Sequence, residues 1–374
     1  MVAENIIKHI ENWAPPGAAW DKDNVGLQVG SPKEKVNNIF LCLELTENAL
    51  AESLNKNCNF IFTHHPFLFK PLKSINTTRD SKSKIIEKLI KNNITLYSAH
   101  TNLDFTIDGV SFELAKVLNL KKIQFLQNQN SNQYKLVVFV PEESAGKVAD
   151  AIFSKGAGII GEYERCSFKL SGTGTFLGSE NSNPKVGTKN IFEKVDEIRL
   201  EVLVDYWKLN EVISAIKKVH PYEQPAFDVY VLKNQNVNYG FGAIGLLETG
   251  MTKNDFLQYV CEKLKTKVLR YSQFGNKKIK KVAVCGGSGS ELLVSAIKKG
   301  ADAFITADVK YHAFQDAEDQ ILYIDAGHYE TEIHSLNVVK KKLEKLVNNY
   351  SENIKIYKYS GSTNPVKYYT KGRR

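Results

Sequence analysis

The chain has 374 residues, 43% of them hydrophobic and 24% charged, with a formal net charge of +9. That length accommodates two to three domains, and that mix belongs to an ordinary globular protein. No apolar run approaches the ~20 residues that span a bilayer, which excludes a helical membrane protein.

The excess lysines are scattered over expected helices and turns, with Lys340-Lys341-Lys342 the dense run. They are not interleaved with aromatics, so a solvated basic surface explains them better than a nucleic-acid platform. The first residues show no basic segment followed by an apolar core, so no signal peptide is expected. The five cysteines are odd in number and none forms C-x-x-C. They read as reduced thiols of a cytoplasmic protein rather than zinc ligands.

In chain order, an amphipathic first helix carries His9. An apolar run at 38–43 predicts a strand, Thr46 caps a helix to about 56, and 59–63 predicts a second strand. A helical stretch and a third strand at 94–97 follow. The same order recurs later: strand 281–285, helix 290–299, strand 302–306, a helical stretch, then strand 321–324. Both second strands end in threonine, Thr63 and Thr306, and both third strands contain Leu-Tyr. Two related α/β lobes are therefore expected to form one core.

The middle differs. Strand 134–140, helix 142–155, strand 162–170 with a glycine-rich turn at 171–178, strand 196–204, helix 209–219 and strand 226–232 predict two β-α-β-like units. Such a pair suggests an inserted ferredoxin-like α+β domain. Polar linkers at 127–133 and 233–238 mark its edges. The expected division is a lobe at 1–130, an insert at 131–236 and a second lobe at 237–374. His220-Pro221 is expected to stop the insert's second helix.

The chemistry-bearing residues gather where strands end. His64 and His65 follow Thr63, His100 and Asp104 follow the strand at 94–97, and His328 and Glu332 follow the strand at 321–324. In open α/β sheets, ligands collect beyond the carboxyl ends of strands. His328 and Glu332 are four apart and share one face if a helix starts after Gly327. A single such pair would most simply be a capping or core histidine; three at equivalent strand ends point to a metal site. Imidazole and carboxylate donors suit Zn²⁺ first, with Fe²⁺, Mn²⁺ and Ni²⁺ as alternatives. So many such groups exceed the needs of one catalytic zinc and suit two divalent ions, with Glu332 the better candidate for a bridge. Two ions bring about +4 against about −2 from Asp104 and Glu332, and the surplus would attract an anion such as phosphate.

Three further segments admit more than one reading. Residues 240–245 match GxGxxG, but no strand is expected to lead into them, so the glycines are read as serving turns and packing. A helix is expected from Thr252, with Asp255 completing its cap. The run Cys285 to Ser290 would be either a phosphate cradle or a packing turn. Asp308 and His312 follow Thr306 and would either orient a ligand, face substrate or serve only structure. His9 and His334 are expected to lie outside the site.

At these residues the chain closely resembles the NIF-three-like proteins, also called GTP cyclohydrolase 1 type 2 homologues. The matching segments are Ala19-Trp20-Asp21, Asp23-Asn24-Val25-Gly26-Leu27-Gln28-Val29-Gly30, THHP at 63–66, SAHTNLD at 98–104, KYH at 310–312 and DAGHYETE at 325–332. The resemblance implies a two-lobed α/β core, a dinuclear metal site and a toroidal homohexamer. It implies His64, His65, Asp104, His328 and Glu332 as the metal ligands, with His100 in the pocket but not necessarily a ligand. It also implies an insert related to the trimers of the PII and CutA type. Ala243 departs from the family, which often has arginine there.

The function expected from these readings is a metal-dependent hydrolase. A metal-bridging hydroxide would attack a small anionic nucleotide or phosphoester, and His100, with Asp308 or His312, would move protons or orient substrate. The alternative is a hexameric metal-binding or regulatory scaffold whose insert binds a partner or effector.

Overall fold

The chain is described by a computed structural model at residues 1–275, 277–350 and 353–369. Strands Ile39–Cys42, Phe60–Thr63 and Thr95–Ser98 lie side by side and parallel, in register at Cys42, Thr63 and Ser98. All twelve of their residues are buried, as expected of parallel strands covered on both faces. Strand Gly26–Val29 adds antiparallel to one edge and Ile356–Lys358 adds parallel to the other. Alternate residues feed two cores. Leu41, Phe60, Phe62 and Tyr97 pack against helices Ala3–Trp13 and Ser335–Asn349, while Phe40, Ile61 and Leu96 pack against Glu47–Asn55 and Ser81–Lys91.

A second sheet repeats this plan. Strands Ile279–Ser288, Ala303–Ala307 and Leu322–Asp325 are parallel, and Arg270–Tyr271 adds antiparallel beside the last. Strands Asn236–Met251 and Lys121–Gln129 complete its other side. The two halves of the chain exchange elements. Helix Ser335–Asn349 and strand Ile356–Lys358 serve the first sheet, while helix Val110–Val117 and strand Lys121–Gln129 serve the second. Together they form one unit, residues 1–127 with 239–374.

The other unit spans residues 128–238. Its antiparallel sheet runs Ser167–Leu177, Phe192–Asp205, Gln133–Pro141, Phe227–Val231. Helices Ala145–Ser154 and Leu209–Val219 bury Val148, Ile152, Val212 and Ile216 against Leu136, Val138, Leu200 and Val202 of that sheet. His220 ends the second helix, and its Nε2 lies 2.9 Å from the carbonyl of Phe139.

Two glycine-rich segments correct their sequence reading. Residues 171–177 are not a turn but continue the edge strand Ser167–Leu177; a Cβ at Gly174 would stand 2.1 Å from Glu197 Oε2. Glycine there buys a close approach to a side chain of the adjacent strand. Gly240 to Gly245 lie inside the long strand Asn236–Met251, where a Cβ on Gly240 would meet the ring of Phe125 at 2.6 Å. Ala243 is fully buried in the same strand, opposite Val284. Among the described residues no helix is long and apolar enough to cross a membrane.

Candidate metal centre

The strand ends of both sheets bring His64, His65, His100, Asp104, His328 and Glu332 together. His64 and His65 follow strand Phe60–Thr63, and the ring centroids of both lie 5.3 Å from that of His100. Asp104 ends the short helix Thr101–Asp104, while His328 and Glu332 begin and end helix His328–Glu332. Donor atoms of His64, His65 and His100 lie within 4.8 Å of one another, and so do those of His65, His328 and Glu332. His65 is common to both groups.

Every imidazole is fixed at Nδ1 by an oxygen. His64 uses the carbonyl of Ala99 at 2.9 Å, His65 uses Glu44 Oε1 at 2.8 Å, His100 uses Asp23 Oδ2 at 2.9 Å and His328 uses Asp308 Oδ2 at 2.6 Å. Nε2 is thereby left as the ligand atom, the arrangement by which outer groups orient metal-binding histidines. Glu332 stands among three of these atoms. Its Oε1 is 3.0 Å from His328 Nε2 and 3.7 Å from His64 Nε2, and its Oε2 is 3.1 Å from His65 Nε2. His64 Nε2 is also 3.6 Å from Asp104 Oδ1.

These donors fit divalent cations. His64 Nε2, Asp104 Oδ1 and Glu332 Oε2 are buried and take part in no hydrogen bond, although orphaned polar atoms are costly in a protein interior. His65 Nε2 and His328 Nε2 face each other at 3.4 Å beside the Glu332 carboxylate. Bound cations would supply the partners that these atoms lack.

The electrostatics agree. Burial opposes protonation of His65, but Glu332 and Glu44 override it and raise the imidazole to about 10. Burial likewise opposes protonation of His328, yet Glu332 and Asp308 raise it to about 9. Burial would raise the Glu332 carboxyl, but the His328 and His64 imidazoles hold it well below its ordinary value. Burial raises Asp104, against the neighbouring histidines. The cluster attracts positive charge, and a divalent ion bound there would compete with protons for the imidazoles.

Other residues fall as follows. Asp308 supports His328 from a left-handed backbone position, φ 55°. His312 is exposed, with its Nδ1 2.9 Å from Gln315 Oε1 on its own helical turn, and it belongs to neither of the two donor groups. The run Cys285 to Ser290 is resolved in favour of packing. Gly287, at φ 65°, lies against Glu332, where a Cβ would stand 2.2 Å from Oε1. Its N–H donates to Thr331 Oγ1 and its carbonyl accepts from Thr306 Oγ1. Glu44, two residues beyond strand Ile39–Cys42, was not singled out from sequence. The strand-end rule that found the histidines marks it equally well.

Asp23 is the support for His100. Burial would raise its carboxyl, but bonds from His100 and Thr101 outweigh burial and lower it from 3.8 to about 2. A depressed carboxylate adds stability that is fully present above the unfolded value and is lost as pH falls through the folded one. Asp23→Asn is therefore expected to lower stability by up to about 2 kcal/mol above pH ~4, with the difference from the unchanged protein vanishing near pH ~2. Urea unfolding across that range checks it, and a pH-independent difference would refute it.

The fold and site define an α/β protein with duplicated parallel sheets and a nest of imidazoles and carboxylates at their strand ends that could hold a metal ion. The profile of the Duf34/NIF3 (NGG1p interacting factor 3) family matches residues 1–365, and the chain belongs to that family. It is 37% identical to a GTP cyclohydrolase 1 type 2 homolog of Halalkalibacterium halodurans, over 97% of each chain. It is 34% identical to the homolog of the same name from Bacillus subtilis, again over 97% of each. Among solved structures, a Bacillus cereus protein related to NIF3 superposes with a TM-score of 0.83 at 35% identity over 99% of each chain.

Proposed function

We propose that the protein is a metal-dependent hydrolase that holds two divalent ions through His64, His65, Asp104, His328 and Glu332. The observation that carries this reading is the convergence of buried, unpartnered N and O atoms around Glu332, with every imidazole turned to present Nε2. Zinc suits the donors best, with iron, manganese and nickel as alternatives. When bound, such ions polarise a phosphoryl or carbonyl oxygen and acidify water. Glu332 stands near imidazoles of both donor groups and would be the carboxylate shared between the ions. His100, oriented by Asp23, gives or takes a proton at Nε2.

A cavity of about 540 Å³ opens beside His65 and His328, a size that suits a nucleotide-sized ligand. Its wall carries Glu44, Asp308, Asp325 and Glu330 against Arg270. An anionic group is repelled by that wall and drawn to the ions, so a small nucleotide or phosphoester would bind with its phosphate at the metal. The names of the relatives make GTP a first compound to assay. The insert's strand order and its two one-sided helices support a ferredoxin-like domain related to the PII and CutA type. A homohexameric ring and a cytoplasmic location complete the reading.

Elemental analysis of metal-loaded protein is expected to give two ions per chain; clearly fewer than two would remove the dinuclear site. Assays of GTP, other nucleotides and phosphoesters with zinc, manganese, iron and nickel are expected to show turnover that follows metal content. No turnover with any metal, together with loss of the ring on chelation, would favour the scaffold alternative.

A further inference from the structure

The C-terminal segment beyond strand Ile356–Lys358 is fastened across the mouth of the metal centre. That strand runs parallel to Ile39–Cys42, with Lys358 opposite Leu41. It therefore delivers the chain to the same end of the sheet as Glu44. Three side-chain contacts follow in order. Ser360 Oγ donates to Glu52 Oε2 at 2.7 Å, Thr363 Oγ1 donates to Glu44 Oε2, and Asn364 Nδ2 donates to Glu330 Oε1 at 3.0 Å. The first two partners belong to the first half of the chain and the third to the second half, so the segment bridges both. Asn364, Pro365, Val366 and Tyr368 then form part of the wall of the cavity beside His65 and His328.

We propose that this segment is a working part of the metal centre: Thr363, through Glu44, fixes the ring of His65, and Val366 with Tyr368 restricts access to the ions. The inference rests on the metal reading given above. Glu44 has two oxygens and both are engaged, Oε1 by His65 Nδ1 and Oε2 by Thr363. The Glu44 side chain is about one-third exposed and rotates about three bonds, so without Thr363 little holds it against the imidazole. His65 is the donor common to both groups, so a loosened ring weakens the whole site. Thr363 and Glu44 are positioning residues, since neither reaches the ions.

The test compares the full-length unchanged protein with Thr363→Val, Thr363→Ser, Glu44→Gln and Val366→Trp, using Co²⁺ and Zn²⁺ as probes. Thr363→Val and Glu44→Gln are expected to weaken metal binding by about 10- to 100-fold, the usual effect of losing an outer partner of a ligand. They are also expected to alter the visible absorption of bound Co²⁺, while the unfolding midpoint without metal stays unchanged for Thr363→Val. Thr363→Ser, which keeps the hydroxyl, should restore both affinity and spectrum. Val366→Trp is expected to slow metal release to EDTA several-fold at unchanged affinity. Unaltered affinity and spectrum in both Thr363→Val and Glu44→Gln would overturn the positioning role, and an unaltered release rate in Val366→Trp would overturn the access role. Failure of the unchanged protein to bind either metal would instead overturn the metal reading itself.

Discussion

The Glu332→Ala substitution is expected to abolish tight metal binding and to destabilise the metal-free protein in a defined pH window. Glu332 is buried, and its two oxygens face His64, His65 and His328 within 3.0–3.7 Å. With it goes the carboxylate common to the three imidazoles, so metal content should fall well below that of the unchanged protein. In the metal-free protein the substitution leaves buried imidazoles without their counter-charge, and breaking a buried pair this way costs about 3–5 kcal/mol. His65 and His328 are raised to about 10 and about 9, in each case against burial and chiefly by Glu332. A raised histidine contributes stability that is complete below its unfolded value of 6.5 and disappears as pH climbs through the folded one. The gap between the two proteins should therefore be widest near pH ~6 and close above pH ~10. At strongly acid pH it should close again as Glu332 itself takes up a proton. Unfolding in urea with EDTA present, at several pH values, measures the gap; a constant gap would mean that Glu332 does not hold these imidazoles charged.

The second large effect is expected from Gly287→Ala. The new Cβ would stand 2.2 Å from Glu332 Oε1 and 3.3 Å from His328 Cε1. The backbone there is at φ 65°, and Gly287 is bonded on both sides by Thr331 and Thr306, so it cannot swing away. Either Glu332 moves or the strand distorts, and metal affinity should fall by at least about 10- to 100-fold. Gly300→Ala is a matched control. Its φ is 67°, but nothing lies within 4 Å of the added Cβ. Both substitutions should cost about 1–2 kcal/mol for the left-handed backbone, and only Gly287→Ala should disturb the metal. Equal metal binding by both variants would show that the glycine does not shape the carboxylate's position.

Much of this centre is legible along the chain because its parts obey local rules. Apolar runs of four residues ending in threonine predict buried parallel strands, and the groups just beyond them collect at the carboxyl ends of the strands. The i, i+4 spacing of His328 and Glu332 predicts a shared helix face, and helix His328–Glu332 provides it. Other parts escape local rules. Gly174 of the edge strand Ser167–Leu177 reads as part of a turn because the group it lies against, Glu197, is on a strand twenty-odd residues away. Likewise Gly287 resembles half of a phosphate loop until Glu332 is seen against it.

Residue type and periodicity thus dictate the duplicated α/β plan and the placement of imidazoles and carboxylates at strand ends, since each depends on neighbours within a few positions. Only the folded chain decides which oxygen fixes each imidazole. Glu44 reaches His65, Asp23 reaches His100 and Asp308 reaches His328 across 20 to 77 residues. The folded chain also brings the C-terminal segment, 319 residues away along the chain, back to Glu44. The physical reason is that a hydrogen bond depends on distance and angle in space. Spacing along the chain constrains these within a helix or turn, but between elements they are set by sheet order and register.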